Sequence, residues 1–170
     1  GGALYVGGKG LTNYVYNSNF EFNDAGSGHG GAIGWLSSTG HIINSNFTSN
    51  SAEYGGGVYL NGNSTESQII GSRFIGNSAN TNGGAIDWNK GARNGIVYNV
   101  TFIDNTAKRS GGAIFWNGHN GTISWTKFYN NRALGINNAT SVMGDVTYGG
   151  DGGAVMWSGA LGTVFYSNFV

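Results

Sequence analysis

Two short motifs alternate along this chain at a nearly fixed pitch, and that regularity restricts the fold more than any other feature. Phe-x-x-Asn-x-Ala begins at Phe20, Phe47, Phe74, Phe102 and Phe128, and Phe169 starts a further copy. Gly-Gly followed by a small and then an aliphatic residue opens at Gly1, Gly30, Gly55, Gly83, Gly111 and Gly152. Successive Phe markers stand 27, 27, 28, 26 and 41 residues apart. A repeat of this length is the signature of a solenoid, propeller or tandem array, in which no single unit buries its apolar face alone.

The contents of one unit decide among these. Between markers run short segments such as 41–47, 67–74 and 94–102, rich in Ile, Val, Tyr and Phe and separated by Gly, Asn and Ser. Those residue types suit a pleated, half-buried surface, and the small polar clusters mark bends. A unit of about 28 residues is too short for a four-stranded propeller blade, which needs about 40 or more, and fits one coil of a parallel β-helix. The sequence therefore predicts an all-β chain, a parallel β-helix (β-solenoid) of about six coils of about 28 residues, forming one domain over 1–170.

Alignment of the units separates inside from outside, because a column buried in a stack must be apolar in every coil. The column after Gly-Gly reads Leu4, Ile33, Val58, Ile86, Ile114, Val155, and two residues on stand Val6, Trp35, Leu60, Trp88, Trp116, Trp157. Equal strand parity turns both columns inward. The tryptophans are thus expected in a core ladder rather than in a carbohydrate site. The column between them, Tyr5, Gly34, Tyr59, Asp87, Phe115, Met156, is mixed and is expected to face solvent. Val15, Ile42, Ile69, Val97, Ile123 and Val164 precede each Phe by five residues, and Ser18, Ser45, Ser72, Val100, Thr126 and Ser167 by two. Asn23, Asn50, Asn77, Asn105 and Asn131 are expected to stack as an amide ladder at a corner, since Asn accepts left-handed backbone and bonds to neighbours above and below.

Composition narrows the function. Glycine supplies 33 of 170 residues, but 39% apolar and 14% aromatic residues set in phase require a packed interior rather than a disordered tract. Eight basic residues balance eight acidic ones and are spread along the chain, so no electrostatic footprint exists for nucleic acid or an anionic membrane. No apolar run approaches the roughly 18 residues of a membrane-spanning helix. Without cysteine there is neither disulfide nor thiolate metal site. Five Asn-x-Ser/Thr sequons, at Asn46, Asn63, Asn99, Asn120 and Asn138, are about what chance gives. The chain opens inside one repeat and stops inside another, and is expected to be part of a longer repeat protein.

Candidate chemistry is sparse. The carboxylates Glu21, Asp24, Glu53, Glu66, Asp87, Asp104, Asp145 and Asp151 never share a column in neighbouring units, so the paired acids that polysaccharide cleavage requires are not indicated. Asp87 reads as a solvated surface carboxylate. His29, His41 and His119 fall at different phases, which disfavours a metal site, and no cofactor is implied. Tyr5, Tyr59 and Phe115 are the candidate contact rings, being aromatic and outward by parity. The long spacing after Phe128 places an insertion at 134–150, and its Asn137, Asn138, Asp145 and Tyr148 are further candidates for binding a partner.

Carried by "FEFN", "FTSN", "FIGN", "FIDN" and "FYNN" interleaved with "GGAL", "GGAI", "GGGV" and "GGAV", the chain resembles the repeats of chlamydial polymorphic membrane proteins and of adhesin-like surface proteins of bacteria and methanogens. The resemblance implies a right-handed parallel β-helix, secreted to the cell surface and engaged in adhesion to a surface protein, glycan or matrix. Members often carry cysteine near the Phe, where this chain has Ser or Val, and the family's membrane-anchoring domain has no counterpart in these residues. An alternative from the residues is a filament or sheath subunit that pairs with copies of itself, since open strand edges template pairing.

Overall fold

A computed structural model describes residues 1–8, 10–36, 39–61, 64–136 and 151–170. All regular structure among them is β, and every strand pairing is parallel. Sheet 1 stacks Leu4–Gly7, Ile33–Leu36, Val58–Leu60, Ile86–Trp88, Ile114–Trp116 and Val155–Trp157. Sheet 2 stacks Thr12–Tyr16, Thr39–Ile43, Gln68–Ile70, Ile96–Tyr98, Thr122–Ser124 and Thr163–Phe165. Sheet 3 stacks Asn19–Glu21, Asn46–Thr48, Arg73–Ile75, Thr101–Ile103, Lys127–Tyr129 and Asn168–Phe169. The short sheet 4 holds Ser51–Ala52, Ser78–Ala79, Thr106–Ala107 and Arg132–Ala133. The chain is a β-solenoid of about five turns of about 27 residues; the six strands of each long sheet are the rungs bounding those turns.

Register follows the sequence columns. Ile33 pairs with Leu4 and Val58, and Ile86 with Val58 and Ile114. The inward rows close a core in which Ile33, Trp35, Ile86, Trp88, Ile114 and Trp116 are fully buried, with Val155 and Trp157 packed against it. Phe20, Phe47, Phe74, Phe102, Phe128 and Phe169 form one continuous stack, with ring centroids 4.5–5.1 Å apart.

The tryptophan row shows how closely the interior is fitted. In sheet 2 the row facing it reads Asn13, Gly40, Ser67, Gly95, Gly121, Gly162 by register. A Cβ added at Gly95 would lie 2.3 Å from the Trp88 ring, at Gly121 2.3 Å from Trp116, at Gly162 2.1 Å from Trp157 and at Gly40 2.5 Å from Trp35. In the two turns where sheet 1 supplies Val6 and Leu60 instead, the facing residues are Asn13 and Ser67, which carry side chains. The indole therefore fills the volume that glycine vacates, so that each turn reaches the density of a close-packed core.

Asn23, Asn50, Asn77, Asn105 and Asn131 form an amide ladder with adjacent members joined Nδ2 to Oδ1 at 2.8–2.9 Å. The Asn77 Nδ2 donates to Asn105 Oδ1 and to the Phe47 carbonyl, while its Oδ1 accepts from the Nδ2 and backbone N–H of Asn50. Both donors and both lone pairs are thus used, which is the full capacity of the group. The expectation that these asparagines adopt left-handed backbone is corrected: positive φ falls on the residue before each, at Phe22, Ser49, Gly76, Asp104 and Asn130. The preceding residue turns the chain, and the Asn behind it, on ordinary backbone, directs its amide inward.

The Gly-Gly marker has two separate causes. The first glycine is left-handed, with φ 69° at Gly30. The second admits close approach of the next turn, since a Cβ at Gly31 would lie 2.0 Å from the Gly56 carbonyl oxygen.

Candidate binding surface

The ligand-facing candidates must lie on outward rows, and sheets 1 and 2 present very different ones. The outward row of sheet 1 is Tyr5, Gly34, Tyr59, Asp87, Phe115, Met156. Only Tyr5, at 62% exposure, stands well into solvent; Tyr59 is 4% and Asp87 1% exposed, and Phe115 is half-buried. The expectation of an exposed aromatic stripe here, and of a solvated Asp87, is therefore corrected. Strands of three residues leave the central side chain hemmed by the turns on either side. The His29 ring lies over Tyr59 with centroids 4.4 Å apart and meets Tyr54 edge-on at 5.1 Å, while Asn89 Nδ2 donates to the Tyr59 hydroxyl at 2.6 Å.

That cover perturbs the groups beneath it. Asp87 Oδ1 is buried without a hydrogen-bond partner, and burial raises its carboxyl well above the ordinary value of 3.8. Burial, with the neighbouring Asp87 second, raises the Tyr59 phenol, and burial lowers His29. Where Gly34 interrupts the row, an open cavity of about 140 Å³ lies between Tyr5 and Tyr59, bordered by His29 and Leu36. The remaining described acids do not converge on it: Asp24 accepts from Gly26 N–H and Ser51 Oγ, and Glu53 accepts from Thr81 Oγ1. Among the described residues no group of three or more His, Asp or Glu could hold a metal ion, and no helix is long and apolar enough to cross a membrane.

Sheet 2 turns outward Thr12, Tyr14 and Tyr16, then Thr39, His41 and Ile43, Gln68 and Ile70, Ile96 and Tyr98, Thr122 and Ser124, and Thr163 and Phe165. No Asp, Glu, Lys or Arg stands at any of these positions, whereas sheet 3 carries Glu21, Arg73 and Lys127 outward. Burial lowers the pKa of His41, which favours the neutral imidazole. Tyr14 stacks on Tyr16 at 5.4 Å and on His41 at 4.9 Å, and both tyrosines are exposed. These rings belong to a second outward column, in which aromatic and aliphatic residues recur on strands that carry neither the Phe nor the Gly-Gly marker.

At the edge of sheet 2 the chain turns into sheet 3 through one left-handed residue per turn: Asn17, Asn44, Gly71, Asn99, Trp125 and Tyr166, with φ between 47° and 60°. Asn and Gly suit that conformation, whereas a bulky ring there costs about 1–3 kcal/mol. Trp125 and Tyr166 are nevertheless 55% and 74% exposed, with ring centroids 4.9 Å apart. Asn137, Asn138, Asp145 and Tyr148 lie outside the described residues, as does most of the 134–150 insertion.

Residues 71–87 and 99–115 match the Chlamydia polymorphic membrane protein repeat. Each stretch runs from the sheet 2 to sheet 3 corner through the Phe stack and the Asn ladder to the outward residue of sheet 1. The chain thus carries repeats of this type, and the sheet 2 strand Ile96–Tyr98 falls between the two matches. No curated protein and no solved structure matches the chain.

Proposed function

We propose that this chain, built of repeats of the polymorphic membrane protein type, is a non-enzymatic, adhesin-like segment of an extracellular cell-surface protein, displaying a face for attachment to a cell, a glycan or matrix. The observation that carries the reading is the uncharged outward face of sheet 2, on which Tyr14, Tyr16, Tyr98 and Phe165 are exposed. A stiff wall that repeats similar contacts at each turn favours multivalent attachment, in which weak contacts add through high effective concentration. A non-enzymatic role is supported by the acids, which are dispersed, tied into local hydrogen bonds or, for Asp87, buried beneath flanking turns.

The test is attachment of the purified chain, presented multivalently on beads, to cultured cells and to immobilised matrix. Charge placed on sheet 2 by Gln68→Glu and Thr122→Lys should abolish attachment, whereas Arg73→Gln and Lys127→Gln on sheet 3 should leave it intact. Fibres forming in proportion to concentration, with no attachment to any surface, would instead favour a structural filament or sheath subunit. New reducing ends released from a polysaccharide would overturn the non-enzymatic reading.

A further inference from the structure

The corner between sheets 2 and 3 holds rings that the backbone alone would not choose. In four of the six turns its left-handed position is filled by Asn17, Asn44, Gly71 and Asn99, residues that take this conformation cheaply. In the remaining two it is filled by Trp125 and Tyr166, which lie in adjacent turns and contact each other. Phe165 meets Tyr166 edge-on at 5.5 Å, and the exposed Tyr98 lies on the same outward column one turn before Ser124 and two before Phe165. Tyr98 and Trp125 are exposed within the stack, and Phe165 and Tyr166 continue their two columns in the last rung, where the inward Val164 and Phe169 are exposed as well. Phe22 is a lone exposed ring in the same conformation at another corner, whereas here two such rings in adjacent turns touch each other, and that pairing runs from an observed outlier towards a function.

Resting on the attachment reading, we propose that Tyr98, Trp125, Phe165 and Tyr166 form a binding platform for a neutral glycan built of pyranose rings. Charge selects the ligand. The outward positions of sheet 2 lack charged side chains, so a charged ligand lying over that face finds no counter-ion, and anionic controls test the influence of Lys127 on the sheet 3 side of the ridge. Ring chemistry narrows it further: the C–H face of a pyranose is apolar and weakly positive, and lies against the electron-rich face of an indole or phenol. The hydroxyls around its rim need donors and acceptors at the edge, which Asn99, Thr122 and Thr163 supply beside the rings. Trp125 and Tyr166 already touch, with their ring planes tilted by 32°, so each restricts the other before a ligand arrives. The rings stand on a ridge between two sheets and are interleaved with hydroxyls and an amide. They do not form the flat, continuous apolar area that a second copy of the chain would cover.

Trp125 provides the readout, because Trp35, Trp88 and Trp116 are fully buried and Trp157 is half-buried. The 170-residue chain is titrated with neutral hexose and N-acetylhexosamine oligosaccharides, with heparin and sialylated oligosaccharides as anionic controls, while iodide quenching of indole emission is followed. A neutral oligosaccharide should shield Trp125 from iodide and the anionic ones should not. Read by isothermal titration calorimetry, Trp125→Asn and Tyr166→Asn should each weaken that binding by about tenfold or more while raising the midpoint of denaturant unfolding, an effect opposite in sign to that of removing a structural ring. Absence of shielding by every neutral oligosaccharide, or undiminished binding in Trp125→Asn, would overturn the platform. If the variants keep attachment to cells, only the glycan assignment fails; if the unaltered chain attaches to nothing, the attachment reading itself fails.

Discussion

The outward rows of sheets 1 and 2 obey the same strand alternation and yet belong to different environments. On sheet 1 the middle of the row is roofed: Tyr59 and Asp87 are as buried as core residues, with His29 and Asn89 leaning over the row from the flanking turns. On sheet 2 the row is uncharged and, although Ser124 is buried, its rings Tyr14, Tyr16, Tyr98 and Phe165 are exposed. Alternation assigns a side of the wall. Whether that side meets water depends on what the neighbouring turns place over it: His29 and Asn89 cover Tyr59 on sheet 1, while Tyr14, Tyr16 and Tyr98 on sheet 2 stay exposed. The surface available for recognition is therefore sheet 2 and its corner, while the outward row of sheet 1 acts as a second, thin core.

This contrast can be broken by mutation. Tyr59→Ala should cost about 3 kcal/mol or more in denaturant unfolding, the range of a buried aromatic that also loses a hydrogen bond, whereas Tyr98→Ala on sheet 2 should stay within about 0.5 kcal/mol. Equal costs would show that sheet 1 is not roofed.

Leu60→Trp should cost about 1–3 kcal/mol, because Ser67 occupies the space that glycine leaves opposite Trp35, Trp88, Trp116 and Trp157. Adding Ser67→Gly should recover most of the loss, and a double-mutant cycle reads the coupling. Additive costs would mean that the facing rows do not meet.

A further effect should appear in the pH dependence of stability. The Asp87 carboxyl is raised in the folded chain above 3.8, so above that pH the folded state holds a proton that the unfolded state has released. The contribution of Asp87 is present below pH 3.8 and is lost as pH rises towards the raised value. Urea midpoints of Asp87→Asn, measured across that range, should lack this decline. An unchanged slope would place Asp87 in solvent.

Much of the architecture was legible because the interior demands the same residue at each turn. Ile33, Ile86 and Ile114 share a row, and so do the Phe and Asn markers, since a stacked neighbour one turn away is each residue's principal contact. The fit between Trp88 and Gly95 was equally present in the letters, but glycine also marks corners, and its packing role shows only once the two sheets face each other. Left-handed backbone was legible as a corner property but not by residue: Asp104 turns the chain and Asn105 bonds inward. Burial of Asp87 was not legible, because it depends on turns from other repeats. Exposure of Trp125 was not legible, because it stands outside the column shared by Trp35, Trp88, Trp116 and Trp157 and occupies a corner position that Asn or Gly fills in other turns.

Nitration of the native chain by tetranitromethane, followed by peptide mapping, tests the division into roofed and open rows most directly. Tyr14, Tyr16, Tyr98 and Tyr166 should be modified readily and Tyr59 only after unfolding, because its hydroxyl is covered and its phenol is raised above the ordinary value. Modification of Tyr59 at the rate of Tyr98 in the folded chain would contradict the account.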